Sequence, residues 1–198
     1  QEYTAKIPFS DFKVFDFICQ NVPKNSQLQV SNSSAIRYLQ LFDLDKSIQV
    51  FCNRGTSGID GSTSTAIGAA LASDLPTMLI TGDISFLYDS NALWNNYIPK
   101  NFKIILLNNS GGGIFRILPG HQETETFNTY FETSHQLNAL HLAKMYGFDY
   151  YTATDEDSLK TSYKSFLNQN NKPCILEIFT PEKSNNKILL DFFGALKK

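Results

Sequence analysis

The amino-acid sequence predicts an α/β domain whose six-stranded, mainly parallel sheet carries helices on both faces. Two observations predict this fold class. Short apolar runs alternate along the chain with longer amphipathic stretches, which is the pattern that repeated strand–helix units produce. Strands that are separated by helices form a parallel sheet, and such sheets are covered on both sides. The 198 residues are enough for one well-cored domain.

The predicted elements follow one another with short connections. The first helix has good capping residues in Ser10 and Asp11, and Pro23 lies just beyond its end. The predicted helices are Ser10–Val22, Ser33–Phe42, Ser62–Ser73, Asn91–Tyr97, Leu137–Tyr146, Asp155–Asn168 and Lys183–Leu196. The predicted strands are Gln27–Val30, Ser47–Cys52, Thr77–Thr81, Lys103–Leu107, Tyr150–Thr152 and Cys174–Phe179. A long loop, Gly-rich at its start, is predicted for residues 110–132.

Composition and charge exclude several classes of protein. The net charge of −2 and the scattered lysines provide no basic field for nucleic acid. No apolar run approaches the ~18 residues of a membrane-spanning helix, and no signal peptide opens the chain. The three cysteines lie far apart without a C-x-x-C pair, which favours a reduced, cytoplasmic setting.

The chain is expected to be part of a longer protein, because it begins with Gln1 rather than Met. Residues 1–9 are predicted as a linker tail and residues 10–198 as the domain itself. A domain taken from a longer protein is expected to hold only part of an active site.

Three predicted strands end in polar or glycine clusters. These clusters are Asn53-Arg54-Gly55, Gly82-Asp83, and Asn108-Asn109-Ser110 followed by three glycines. Ligands of open parallel sheets bind outside the carboxyl ends of the strands, so neighbouring strands would bring the clusters together in one crevice. Each cluster alone is more often an ordinary turn or loop. Two such clusters, each at the end of a strand, indicate a binding site more specifically than one cluster does.

The residue types at these strand ends are typical of a site for a cation and an anion. The carboxylate of Asp83, the amide of Asn109 and a loop carbonyl form an oxygen-rich set that suits Mg²⁺ shared with a phosphate. Glycines 111–113 leave backbone N–H groups that an anion can approach closely. Helix N-termini after Gly61 and near Ser85 would add dipole stabilisation.

The sequence resembles the thiamine diphosphate enzymes in the pair Gly82-Asp83 and Asn108-Asn109. Their cofactor motif begins with Gly-Asp-Gly and ends with Asn-Asn, and Ile84 stands here at the third position. An apolar residue followed by a serine, here Ile84-Ser85, is similar to the variant in 2-succinyl-5-enolpyruvyl-6-hydroxy-3-cyclohexene-1-carboxylate (SEPHCHC) synthases. Other segments that resemble this family are residues 31–37, 53–61, 64–66, 87–93 and 111–119. The rest of the chain is consistent with the family without being diagnostic.

The resemblance implies a thiamine diphosphate-binding fold and a role for each matching residue. Mg²⁺ would be held by Asp83, the side chain of Asn109 and the carbonyl of Gly111, and would bridge the cofactor diphosphate. The implied cofactor-binding residues are Ser57, Gly58, Ile59, Gly82, Asp83, Ser85, Asn109, Gly111, Ile114 and Phe115. Ile59 would be the apolar wedge that bends the cofactor, and residues 114–115 would line the wall beside its thiazolium ring. Ordinary core packing is the alternative for these three apolar residues.

The resemblance also implies substrate contacts and a reaction. Ser33 and Arg37 share a helix face, and together with Arg54 they would bind substrate carboxylates. A solvated helix face is the alternative for Arg37. The implied reaction, which belongs to menaquinone biosynthesis, decarboxylates 2-oxoglutarate with thiamine diphosphate and Mg²⁺ and adds the resulting succinyl carbanion to isochorismate.

The family's activating glutamate lies on a pyrimidine-binding domain of the same or a second subunit. No catalytic residue is therefore assigned in this chain, and the chain alone is expected to be inactive. The full-length carboligase is expected to be a cytoplasmic homodimer or tetramer.

Two other functions stay open. Another thiamine diphosphate lyase, related to acetolactate synthase or phosphonopyruvate decarboxylase, would be expected to differ near Arg54 and in the segment 33–37. A non-catalytic domain that kept the fold would be expected to lose Asp83, Asn109 and the glycine triplet first. His121, His135 and His141 show no partner pattern, which favours surface or structural roles, and the roles of His121 and Arg116 stay open.

Overall fold

Six strands form one sheet in the structure, a computed structural model that describes residues 2–196. The strands are β1 (Gln27–Val30), β2 (Gln49–Cys52), β3 (Thr77–Gly82), β4 (Lys103–Asn108), β5 (Asp149–Ala153) and β6 (Cys174–Phe179). Their order across the sheet is β2-β1-β3-β4-β6-β5, and every neighbouring pair is parallel. The predicted six-stranded sheet is confirmed, and it is parallel throughout.

Helices connect the strands. They are α1 (Asp11–Asn21), α2 (Ser34–Leu39), α3 (Ser62–Ala72), α4 (Asp83–Tyr88), α5 (Ile114–Ile117), α6 (Leu140–Tyr146), α7 (Glu156–Asn168) and α8 (Asn185–Leu196). Two 3-10 turns lie at Thr4–Lys6 and Ser90–Trp94, and a π-helix lies at Phe127–Glu132. The helix α7 begins where its capping residues predict, because the Asp155 carboxylate accepts a hydrogen bond from the N–H of Ser158 (2.8 Å).

Two predictions between β3 and β5 were wrong. The predicted helix Asn91–Tyr97 is a 3-10 turn that ends at Trp94, whereas α4, expected only as a helix N-terminus near Ser85, begins directly at Asp83. The predicted loop 110–132 contains α5 and the π-helix. Aromatic packing stabilises the last two of these helices: the Phe127 and Phe131 rings stack at 6.2 Å within the π-helix, and the Phe131 ring meets Phe115 of α5 edge-on at 5.8 Å.

The sheet has an apolar core on each face, because successive side chains of a strand point to opposite sides. On β3, Met78 and Ile80 belong to the core that α1, α2, α7 and α8 cover. Leu79, between them, belongs to the core that α3, α4 and α6 cover. The predicted covering of both faces is confirmed. This arrangement leaves the carboxyl edge of the sheet between two layers of helices.

The described part of the predicted linker tail lies against the domain. The Tyr3 hydroxyl donates a hydrogen bond to the carbonyl of Ile188, and the Tyr3 ring packs on Phe12 and Phe192 at centroid distances of 5.3 Å. The boundary at residue 10 stays a prediction, and residues 1, 197 and 198 lie outside the described residues. From residue 2 to residue 196, no helix has the length and apolar character that a membrane crossing requires.

Candidate functional site

A cavity of about 480 Å³ opens at the carboxyl ends of β1, β3 and β4. The predicted cofactor residues that line it are Ser57, Gly58, Ile59, Gly82, Asp83, Ser85, Asn109, Gly111, Ile114 and Phe115. Two predicted substrate residues, Ser33 and Arg37, also line it, whereas Arg54 does not. The sequence therefore located the crevice and nearly all of the side chains that were expected to share it.

Asp83 links the ends of two adjacent strands. It follows β3 directly and is only 4% exposed. One carboxylate oxygen, Oδ1, accepts a hydrogen bond from the N–H of Ile84 (2.7 Å). The other, Oδ2, accepts one from the N–H of Gly111 (3.0 Å), in the loop that follows β4. Since β3 and β4 are neighbours in the sheet, Asp83 and Asn109 lie at the ends of adjacent strands, as predicted.

The two consecutive asparagines have different environments. The Asn108 amide donates to the buried Glu177 carboxylate (2.7 Å), and its oxygen accepts from the N–H of Ser110 (3.1 Å). Asn108 therefore shapes the turn after β4. The Asn109 amide donates instead to Oδ2 of Asp11 (2.9 Å), a carboxylate that also lines the crevice. This contact leaves Asn109 as the asparagine whose amide oxygen is available to the crevice.

Asp11 was predicted only as a helix-capping residue. It is 3% exposed, and burial raises the pKa of its carboxyl to about 6, with hydrogen bonds from Thr180 and Asn109 opposing the shift. No local pattern in the sequence places it beside Asn109, because 98 residues separate the two.

The backbone of the glycine-rich loop has a conformation and a close contact that disfavour a side chain at Gly111. Gly111 has φ 155°, and a Cβ there would lie 2.7 Å from the carbonyl oxygen of Glu132. The same carbonyl accepts a hydrogen bond from the N–H of Gly112 (2.6 Å). The carbonyl of Gly111 accepts from the N–H of Gly113 (3.0 Å), and a carbonyl oxygen retains a second lone pair for a cation.

Gly111→Ala should distort this loop and weaken binding of thiamine diphosphate in the full-length protein. The strained φ costs about 1–3 kcal/mol, and the contact with Glu132 adds to it. Because the Gly111 N–H donates to Asp83, the distortion also reaches the carboxylate. A cofactor titration measures the effect, and Gly68→Ala, in open space within α3, is the matched control. Equal cofactor affinity in both variants would contradict the importance of the loop geometry.

Arg116, whose role the sequence left open, forms a buried ion pair with Glu132. Nε and Nη2 of Arg116 donate to the two carboxylate oxygens of Glu132, and the residues are 4% and 1% exposed. The guanidinium carbon also lies 5.5 Å from the centre of the Phe127 ring. The pair joins α5 to the π-helix, which carries two unpredicted crevice residues, Tyr130 and Phe131. The aromatic pattern of residues 127–131 was the signal that could have revealed them.

His135 was also missed as a residue of this site. Its Nε2 lies 3.3 Å from Oδ2 of Asp83, and its Nδ1 accepts a hydrogen bond from the N–H of Leu137 (3.1 Å). The contact with Asp83 raises the pKa of His135, while burial acts in the opposite direction. The backbone N–H of His135 donates to the carbonyl of Ser110. Of the surface or structural roles that the sequence favoured, these contacts support a structural one, in which His135 links Asp83 to the loop after β4.

The arginines on the other side of the crevice are bound to the backbone and to Asn32. Nη1 of Arg54 donates to Oδ1 of Asn32 (2.6 Å), and the Asn32 amide donates to the carbonyl of Ser57. Nη1 of Arg37 donates to the carbonyl of Ser33 (2.7 Å). Arg54 therefore supports the segment that begins at Ser57, and its assignment to substrate stays a prediction.

The first turn of α3, predicted to be available to an anion, already has a carboxylate. Oδ2 of Asp89 accepts hydrogen bonds from the N–H and the hydroxyl of Ser64 (2.7 and 3.0 Å). The helix N-terminus expected near Ser85 is that of α4, and the Ser85 hydroxyl donates to the carbonyl of Ile59 at the crevice.

Comparison with known proteins finds SEPHCHC synthases among the relatives of this chain. The SEPHCHC synthase of Flavobacterium psychrophilum is 70% identical over 194 residues, which are 98% of this chain and 35% of the relative. The synthase of Flavobacterium johnsoniae is 66% identical, over 99% of this chain and 35% of the relative. The synthase of Bacteroides fragilis is 41% identical, over 97% of this chain and 35% of the relative. The chain thus spans about a third of the length of the curated relatives it matches.

A solved structure and a family model extend the comparison. The thiamine diphosphate-dependent 4-hydroxybenzoylformate decarboxylase of Rhodococcus jostii RHA1 superposes with a TM-score of 0.63 at 25% identity, over 88% of this chain and 33% of that one. The model described as "Thiamine pyrophosphate enzyme, C-terminal TPP binding domain" matches residues 32–178. The match spans well over half of the chain and includes all of the crevice lining except Asp11 and Phe15, so the chain belongs to the family of C-terminal TPP-binding domains of thiamine pyrophosphate enzymes.

Proposed function

We propose that this chain is the diphosphate-binding part of a SEPHCHC synthase. Such an enzyme decarboxylates 2-oxoglutarate and joins the succinyl unit to isochorismate in menaquinone biosynthesis. The observation that carries the proposal is the 70% identity to the Flavobacterium psychrophilum synthase over 98% of this chain. The relatives at 66% and 41% identity bear the same name, so the proposal does not depend on a single relative.

The crevice has the donor chemistry that thiamine diphosphate and Mg²⁺ require. Asp83, Asn109 and the Gly111 carbonyl would hold the cation through oxygen atoms, which are the ligands that Mg²⁺ prefers. Gly111 and Gly112 have no room for a side chain, so the backbone itself forms this wall and can approach a diphosphate closely. Residues 2–196 contain no cluster of three or more His, Cys, Asp or Glu, which fits a cation that completes its shell with diphosphate and water.

Thiamine diphosphate, when bound, supplies the electron sink for decarboxylation. Ile59 would support the bend of the cofactor. The hydrogen bond from the Ser85 hydroxyl to the Ile59 carbonyl holds Ile59 in place. Ile114 and Phe115 are partly exposed into the crevice rather than buried in a core, so they would form an apolar wall that excludes water. Ser57, Gly58 and Gly82 are the remaining proposed cofactor contacts.

Ser33, Arg37 and Arg54 would bind the carboxylates of 2-oxoglutarate and isochorismate. Arg37 uses one nitrogen on the Ser33 carbonyl, and a guanidinium has further N–H donors for a carboxylate. Arg54 lies outside the crevice lining and is bonded to Asn32, so it would act at the mouth of the crevice.

The rest of the site would come from outside this chain. An activating glutamate on a pyrimidine-binding domain, in the same or a second subunit of a homodimer or tetramer, would complete it. Tyr88 and Tyr130, which line the crevice and are 65% and 78% exposed, provide an apolar surface for that domain to cover. All three cysteines are free, which supports a cytoplasmic location.

An activity assay of the full-length protein tests the proposal. With thiamine diphosphate, Mg²⁺, 2-oxoglutarate and isochorismate, we expect CO₂ release together with SEPHCHC formation. The chain on its own should form no product, because it lacks the pyrimidine-binding domain. Turnover of pyruvate alone, with isochorismate left unused, would favour the acetolactate synthase-like alternative. SEPHCHC formation by this chain alone would refute the proposal that the active site needs a second, pyrimidine-binding domain.

A further inference from the structure

A buried carboxylate outside the predicted site lies directly behind Asn109. Asp11 is the first residue of α1, and its side chain lines the crevice although it is almost fully buried. Among the ion pairs of the described residues, none includes Asp11. A carboxylate that is buried without a cationic side chain is costly, so its position calls for a reason beyond helix capping.

Three elements fix the position of Asp11. The Thr180 hydroxyl, just after β6, donates to Oδ1 of Asp11 (2.5 Å). The backbone N–H of Asp11 donates to the side-chain oxygen of Asn185, the first residue of α8 (2.9 Å). The Asn185 amide in turn donates to the carbonyl of Pro181 (2.8 Å). The carboxylate is therefore placed rigidly by α1, the end of β6 and the start of α8.

The remaining oxygen of this carboxylate determines how the Asn109 amide is oriented. Oδ2 of Asp11 accepts a hydrogen bond from Nδ2 of Asn109 (2.9 Å). An ionised carboxylate only accepts hydrogen bonds, so a flipped amide would set the Asn109 oxygen against it. The amide must turn its nitrogen toward Asp11 and its oxygen away from it. That oxygen is the atom that the proposed cation site requires.

We propose that Asp11 is a positioning residue of the cation site, which orients the Asn109 amide so that its oxygen faces the cation. The proposal rests on the proposed function, because it takes Asn109 as a cation ligand. Asp11 and Asp83 both line the crevice, so a divalent cation held there would offset part of the repulsion between the two carboxylates. Partners that orient the ligands of a metal are worth about 10–100-fold in metal affinity.

Mn²⁺ binding to the full-length protein, followed by electron paramagnetic resonance in the presence of thiamine diphosphate, tests this role without any turnover. Asp11→Ala should weaken Mn²⁺ binding about 10–100-fold. Asp11→Asn should weaken it less, because its amide oxygen can still accept from Asn109 while its NH₂ group donates to Thr180. Asp16→Asn removes a charge on the same helix, where the carboxylate accepts from Gln20, and this variant should bind Mn²⁺ as the wild type does.

The possible results separate positioning from simple folding. An Asp11→Ala protein that has a lower melting temperature without cofactor but unchanged Mn²⁺ affinity would overturn the proposal. If Asp11→Ala does not fold, Thr180→Val removes the donor to Oδ1 and keeps the carboxylate. A several-fold loss of Mn²⁺ affinity in that variant supports the proposal, and unchanged affinity overturns it. If Asp83→Ala also leaves Mn²⁺ binding intact, the cation site itself lies elsewhere, and both this role and the proposed site fail.

Discussion

Replacing Asp83 with alanine is expected to reduce the affinity of the full-length protein for thiamine diphosphate and Mg²⁺ by more than about 100-fold. Residues that merely orient metal ligands are worth about 10–100-fold, and Asp83 is the proposed ligand itself. The substitution also leaves the buried N–H of Gly111 without its acceptor, which costs about 1–3 kcal/mol. The loss of affinity should therefore have two causes, the missing cation ligand and a less ordered loop at Gly111.

Two titrations measure the two affinities, one with Mg²⁺ at a fixed cofactor concentration and one with cofactor at a fixed Mg²⁺ concentration. Asp74→Ala is the matched control, because it removes the same charge from an exposed position before β3. Binding of 2-oxoglutarate should be affected only through the cofactor. An Asp83→Ala protein that retains the wild-type titration curves would show that the cation, if one binds, does not use this carboxylate.

The carboxyl edge of the sheet was predictable because its signals are local. Asp83 is a charged residue directly after an apolar strand, and the Asn108-Asn109 pair follows the next strand in the same way. Both strands were recognised from their own composition, and the rule that parallel strands end at one edge brought the residues together. Their adjacency in the sheet confirms that inference.

The supporting residues of the site could not be found in this way. Asp11 and Glu132 line the crevice, and His135 contacts Asp83 from beside it. None of the three belongs to a pattern of spacing that indicates its partner. Burial decides their roles, since a polar group without water must find its hydrogen bonds within the protein. The contact between the Arg54 guanidinium and Asn32 is likewise one that no local spacing indicated.

The loop after β4 shows why short helices in glycine-rich segments are difficult to predict. The glycines at 111–113 predicted a long loop up to residue 132. The structure has α5 and a π-helix there, held by the Arg116–Glu132 pair and by aromatic packing. Helices this short gain little from intrinsic propensity, so tertiary contacts decide whether they form. Those contacts are not visible in a window of sequence.

Glu132→Ala is expected to be the most damaging substitution for the stability of this loop. It removes the two-oxygen partner of the buried Arg116 guanidinium and leaves it the half-exposed Glu123 carboxylate at 3.5 Å, and breaking a buried pair costs about 3–5 kcal/mol. The Glu132 backbone also holds Gly112, so a displaced π-helix should carry the glycine-rich loop with it. Hydrogen exchange over residues 110–135 of the full-length protein should therefore accelerate strongly, and cofactor affinity should fall even though Glu132 is not a proposed ligand.

A double replacement distinguishes the cost of an unpaired charge from the loss of the pair itself. Arg116→Met combined with Glu132→Leu removes both charges and keeps much of the apolar volume. Buried pairs can often be exchanged for apolar residues at little cost, so this variant should recover most of the protection that Glu132→Ala loses. If the double variant exchanges as fast as Glu132→Ala, the hydrogen bonds of the pair, rather than the burial of a lone arginine, hold the π-helix against the crevice.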